Sequence, residues 1–219
     1  MPFSPLMLLL FLLLLGWMIA FVQLGLVSLM FHKLGLSPQA GFTLLFGSLI
    51  GSAINLPLCR VTAERGAAQA PERSPGLLRP SVHQFTGTTI VAVNLGGCII
   101  PVLFSIYLLQ RDVSLLFPAL LGTAVVALLS YHVSRPLPGL GIGMPILIAP
   151  ATAAFVALLL APGHGPAIAY VSGTLGVLIG ADLLHLNVIP KLGTPLASIG
   201  GAGTFDGIFL TGIVAVLLA

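Results

Sequence analysis

Seven apolar segments, divided by stretches rich in Gly and Pro, make up most of this chain. They run from Pro5 to Phe31, Gln39 to Leu58, Gln84 to Leu109, Ser114 to Val133, Gly141 to Ala161, Pro166 to Leu186 and Thr204 to Ala219. A hydrocarbon core about 30 Å thick is crossed by about 20 apolar residues in a helix, so segments of this length read as membrane spans. Composition agrees: 6% of the 219 residues are Asp, Glu, Lys or Arg, against about 25% in an ordinary soluble domain. The expected fold class is all-α, a polytopic membrane protein with about seven transmembrane helices in a single integral membrane domain over residues 1–219. Met1 to Phe31 lacks a basic n-region, and its apolar run is far longer than the roughly 7–15 residues of a signal peptide, so it is expected to be a retained span.

Only one stretch between segments is hydrophilic. Residues 60–83 hold Arg60, Glu64, Arg65, Glu72, Arg73 and Arg79 among Ala, Pro and Gly, which reads as a flexible loop. The loops after segments two, four and six carry Arg60, Arg65, Arg73, Arg79, Arg135 and Lys191, whereas those after one, three and five carry Lys33 and Arg111. Basic loops stay in the cytoplasm, so the expectation is a multi-pass protein of the inner (plasma) membrane with that loop and the N-terminus cytoplasmic. Eight basic residues in all are too scattered for a nucleic-acid surface. Cys59 and Cys98 show no metal-ligand spacing and are expected as small buried hydrophobes.

The fifth segment is the least regular, because Pro136, Pro138, Gly139, Gly141, Gly143, Pro145 and Pro150 crowd its first half. It is expected to be broken or partly re-entrant, or else a proline-rich loop before a short helix from about Ala149. Gly47 and Gly51 form a GxxxG pair, Gly96 and Gly97 adjoin Asn94, and Gly173, Gly176 and Gly180 recur along the sixth segment. Such small residues let helix backbones approach each other in lipid. Asn55 and Asn94 are expected either to line a polar cavity or to bond across helices.

Asp182 and Asp206 are the acids that fall inside apolar segments, and an ionisable group there reads as functional by default. Asp182 lies about one turn before the end of segment six and Asp206 about one turn into segment seven, which places both at a similar depth on one side. Their carboxylates are expected within about 8 Å of each other around a polar cavity. His185, three residues after Asp182, adds a titratable third member on the same helix face. Between the acids, Asn187 to Gly203 is too rich in Gly and Pro for helix over most of its length. Its glycines free the backbone to place NH groups near a ligand or to pack tightly. Asn94, Gly203 and Thr204 complete the candidate polar site.

These residues also carry a resemblance. GTLGVLIGADLLHL followed by SIGGAGTFDGIFLTGIVAVLLA, within Gly173 to Ala219, together with NLGGCIIPVL from Asn94 and PGLGIGMP from Pro138, resembles the domain-of-unknown-function family 1614 of small multi-span prokaryotic membrane proteins. A looser resemblance is to the presenilin and prepilin-peptidase group of intramembrane aspartyl proteases. Phe205-Asp206 is similar to their aromatic-Asp element and Gly180-Ala181-Asp182 in part to their GxGD element, but the order is reversed and the strict GxGD is missing. Pro118-Ala119-Leu120 matches that group's PAL triplet in letters, yet precedes both acids.

Two functions fit these features. In a cation or proton-coupled transporter or channel, Asp182, Asp206 and His185 form a binding or relay site beside broken helices. In an intramembrane aspartyl protease, Asp182 and Asp206 are catalytic, one carboxyl protonated while the other activates water. A metal site on Asp182, His185 and Asp206 is a third reading, and a scaffold whose acids bond backbone NH groups of the glycine-rich loop is a fourth. The expected partners are the lipid bilayer and a small cation or a membrane-embedded peptide, with no cofactor and no nucleic acid.

Overall fold

The computed structural model describes residues 25–63, 87–137, 141–201 and 207–219. The chain is mostly helical. Its helices are α1 (Gly25–Lys33), α2 (Pro38–Gly51), α3 (Ile100–Arg111), α4 (Leu116–Val133), α5 (Ile148–Leu160), α6 (Gly165–Val177), α7 (Ile189–Leu192) and α8 (Gly207–Leu218). Two π-helical segments interrupt this plan, Leu95–Ile99 ahead of α3 and Leu178–Asp182 at the end of α6, the second followed by a 3-10 stretch over Leu183–Val188.

The all-α expectation needs correction, because part of the chain is strand. β1 (Asn55–Thr62) pairs antiparallel with β2 (Thr88–Asn94), and β2 pairs in parallel with β5 (Leu196–Ile199). A second, two-stranded sheet joins β3 (Arg135–Leu137) to β4 (Gly141–Gly143). β2 reads TTIVAVN, and its β-branched residues suit a half-buried pleat better than a helix. The third apolar segment is therefore strand up to Asn94 and helix after it. Residues 60–62 likewise belong to β1 rather than to the loop. Leu56 to Arg60 are exposed on this strand, so Cys59 is exposed and the expectation of burial fails there.

The fifth segment breaks before its helix. The β3–β4 hairpin occupies the glycine- and proline-rich half, and α5 starts at Ile148, close to the alternative start near Ala149. Among the described residues, two helical stretches are long and apolar enough to cross a membrane, Val113–Val133 and Pro162–Leu192. The α1–α2 pair, bent by 108°, makes a third if counted as one span, while Leu95–Arg111 and Ile148–Leu160 are apolar but shorter.

Helix α6 is the centre of the bundle, packed against α4, α5 and α8. Gly122 of α4 faces Ser172, Val126 faces Gly176, and Ser130 with Ala127 faces Gly180, so the two helices advance together and are parallel. Gly165 lies by Ala219 and Gly173 by Thr211 and Ala215, so α8 runs antiparallel to α6. A Cβ at Gly176 would stand 2.6 Å from Val126 Cβ, which is why the seam excludes larger residues. The outward faces are the reverse: Phe117 is 77% exposed, Ile50 69% and Phe155 64%. Small residues inside and large apolar ones outside fit a lipid solvent, in which helices associate by close packing alone.

This layout gives the bundle two ends. Strands β1, β2 and β5, the β3–β4 hairpin, α7 and the start of α8 lie at the sheet end. The starts of α2, α4 and α6 lie at the opposite end. Arg60, Arg135 and Lys191 fall at the former, Lys33 and Arg111 at the latter, the grouping that the alternation of loops predicts.

Candidate functional site

Asp182 is the last residue of the π segment at the sheet end of α6. A π turn widens the helix and is found often at functional positions. Gly180 holds this turn against α4, where a Cβ would come within 2.8 Å of Ser130 Cβ. The half-buried Asp182 accepts a 2.7 Å hydrogen bond at Oδ2 from the backbone NH of Gly200, just beyond β5. Gly200 and Gly201 have φ of 84° and 96°, a region where a side chain is strained. Gly200 also presses on the other π segment, since a Cβ there would be 2.7 Å from Cys98 N. Asp182 is thus tied, through one glycine, to the start of α3. Among the described residues Asp182 has no cationic partner.

The sheet that delivers Gly200 is held by a neutral network. Asn94 caps the π segment, its Oδ1 accepting from Gly97 NH at 2.8 Å. Its Nδ2 donates to Ser52 O at 2.7 Å and to Asn55 Oδ1 at 3.1 Å. Ser198 of β5 donates its hydroxyl to the same Asn55 oxygen. The two asparagines therefore bond across segments, joining α2, β2 and β5. The GxxxG pair of α2 has its partner here as well, with Gly51 against the backbone of Gly96.

His185 is buried. Its Nδ1 meets Gly180 O at 3.1 Å, and its ring lies against Tyr131 of α4, with centroids 4.9 Å apart. No hydrogen bond or ion pair joins it to Asp182 among the described residues. In the stretch after it the 3-10 turn and α7 carry the helix to Leu192, and residues 193–201 are non-helical, as expected for most of that stretch. Asp206, Gly203 and Thr204 lie outside the described residues, and with them the expected approach of the two carboxylates. Pro118 to Leu120 sits in the first turn of α4, at the opposite end, which separates the PAL letters from Asp182. No group of three His, Cys, Asp or Glu side chains that could hold a metal ion occurs among the described residues.

Sequence reasoning did not single out Tyr131, and it gave Ser52, beside the GxxxG pair, and Ser198, at the start of the glycine-rich loop, no polar partner. Serine and tyrosine inside apolar segments are ordinary, and only the fold brings these three to the asparagines and the histidine. The structure defines a class: a bundle of apolar helices built around one central helix, with an acid held at the edge of a small sheet. The family described as "Protein of unknown function (DUF1614)" matches residues 49–218, and the chain belongs to that family. No curated protein and no solved structure is significantly similar to the chain.

Proposed function

We propose that this chain is a seven-span protein of the plasma membrane that moves a proton or another small cation, with Asp182 as the group that takes it up. In this reading the sheet end, with Arg60, Arg135 and Lys191, faces the cytoplasm, as the excess of basic residues in those loops favours. The N-terminus is cytoplasmic too. The observation that carries the proposal is the state of Asp182: it has one backbone NH on Oδ2 and no fixed counter-cation among the described residues. An acid at the end of an apolar helix is ordinarily paired, and one left without a resident cation suits an exchangeable one. Helix breaks beside it add to the support, because discontinuous helices in transporters supply backbone groups to ion sites.

The test is flux. Purified chain in liposomes enclosing a pH-sensitive dye is expected to pass protons, or a monovalent cation measured by tracer uptake, and Asp182→Asn to fall to the level of empty liposomes. Wild-type flux in that variant would overturn the assignment.

A second reading is supported by the antiparallel packing of α6 and α8, by which α8 begins at Gly207 at the end that holds Asp182. This suits an aspartyl protease that pairs Asp182 with Asp206. Cleavage of a reconstituted single-span peptide, lost in both Asp182→Asn and Asp206→Asn, would favour it over transport.

A further inference from the structure

We propose that His185 is a positioning residue for Asp182, acting through the carbonyl of Gly180 rather than as a relay, so that its imidazole sets whether the Asp182 carboxylate reaches Gly200. The inference rests on the reading of Asp182 as the working group and adds the device that aims it. Between Leu178 and Val188 the chain changes from π to 3-10 geometry, and such a change leaves carbonyls without their usual donors. Gly180 O is one that a side chain serves: His185 Nδ1 lies 3.1 Å from it. A carbonyl only accepts, so Nδ1 carries the hydrogen and donates.

The ring has little freedom to leave. Tyr131 lies against one side at 4.9 Å with planes tilted by 34°, and His185 is 8% exposed. Gly180 is itself pressed on α4. Asp182, two residues on, is thus held between a turn pinned by His185 and the Gly200 NH. Among the described residues, the other titratable or charged groups on elements packed against this turn are Tyr131 and His132 of α4, Tyr170 of α6 and Lys191 of α7. His132 is engaged elsewhere, its Nδ1 at 2.7 Å from Leu128 O. His185 is therefore the side chain that ties the turn to itself.

Hydrogen exchange at the Gly200 amide in the full chain in lipid nanodiscs reads this coupling without reference to flux. The wild type is expected to protect that amide. His185→Leu, which deletes the donor, is expected to speed its exchange about tenfold, the equivalent of one net hydrogen bond. His185→Asn, whose Nδ2 occupies the place of Nδ1, is expected to restore the protection, and the Val171 amide in mid-α6 is expected to stay protected in all three. A leucine variant with Gly200 still protected, or an asparagine variant as exposed as the leucine one, would overturn the proposal. Nitrogen NMR of the wild-type imidazole gives an independent check if the leucine variant does not fold: a hydrogen on Nδ1 is expected, and the Nε2–H tautomer, with Nδ1 bare, would refute it. Asp182→Leu is expected to free the Gly200 amide while His185 keeps its hydrogen on Nδ1. Failure of the transport reading would instead leave every exchange result intact and show no proton or cation flux.

Discussion

The two ends of the bundle are closed by different chemistry. At the opposite end, exposed charged side chains reach backbone carbonyls: Lys33 Nζ donates to Val216 O and Leu217 O at 3.4 and 3.3 Å, and Arg111 Nη1 to Gly35 O at 3.3 Å. Asp112 and His164 face each other there at 3.7 Å. At the sheet end, neutral groups make the joints: Asn94, Asn55 and Ser198 in one network, Thr89 donating to Thr194 O at 2.7 Å, and an NH on the acid. Exposed charge contacts contribute little, whereas a buried polar group that loses its partner is costly. The opposite end should therefore tolerate change, and the sheet end should not. What the neutral joints leave over is an acid with no fixed cation beside it among the described residues.

The largest effect expected from this contrast is functional. Asp182→Asn keeps the shape and an acceptor for Gly200 NH but removes the charge, so flux in liposomes should vanish while the extracted yield matches wild type. The next separates two glycines. Gly200→Val imposes a φ of 84° on a branched side chain, at about 1–3 kcal/mol for the backbone alone, and drives its Cβ to 2.7 Å from Cys98 Cβ. Thermal unfolding in detergent should show a large loss of stability, or no folded protein. Gly163→Ala at the opposite end, with nothing within 4 Å of the new Cβ, should stay within about 0.5 kcal/mol of wild type. Equal losses in the two would break the comparison.

How far the sequence foretold these ends follows from what each depends on. The helical apolar segments and the small-residue seams were legible, because lipid solvation and close approach are written in residue size: Gly176 and Gly180 do pack on α4. Among the described residues, the grouping of Arg60, Arg135 and Lys191 at one end of the bundle and of Lys33 and Arg111 at the other follows the alternation of loops. The sheet was not, since a run such as Thr88 to Val93 has the apolarity of a span, and its strand character depends on partners at Asn55–Thr62 and Leu196–Ile199 that no local pattern announces. Asp182 could be singled out because an acid in an apolar segment is rare. Its partner Gly200 was one of four glycines between Ser198 and Gly207, and only the fold selects it. His185 was expected to work beside Asp182, whereas its bond is to Gly180 O, a carbonyl that a regular helix would have left no reason to look for.

Asn94→Leu sharpens the sheet end further. Asn94 is 1% exposed and joins Gly97 NH, Ser52 O and Asn55 Oδ1. Leucine has similar bulk but leaves a buried NH and a carbonyl oxygen without partners, at about 1–3 kcal/mol. A thermal midpoint clearly below wild type is expected. An unchanged midpoint would mean that the neutral network is not what holds the sheet to α2.

The smallest effect is expected from Asp112→Asn, at the opposite end. Asp112 precedes a short 3-10 turn ahead of α4 and accepts from Ser114 Oγ at 2.6 Å and Ser114 NH at 3.0 Å. These two bonds, with a lesser part from His164, hold its carboxyl below the ordinary carboxylate value. A group whose pKa is depressed in the folded state stabilises it above the unfolded pKa and loses that contribution as pH falls through the folded value. The wild type should therefore melt slightly above Asp112→Asn at pH 7. As pH falls below the ordinary carboxylate value and on through the lower folded-state one, the difference should close, with the asparagine oxygen serving Ser114 as well as the neutral acid does. The group is exposed, so the shift should be a small fraction of that caused by Gly200→Val. A difference that rivals the glycine effect, or one that grows as pH falls, would mean that charge closes the opposite end more firmly than its exposure allows, and the contrast between the two ends would fail.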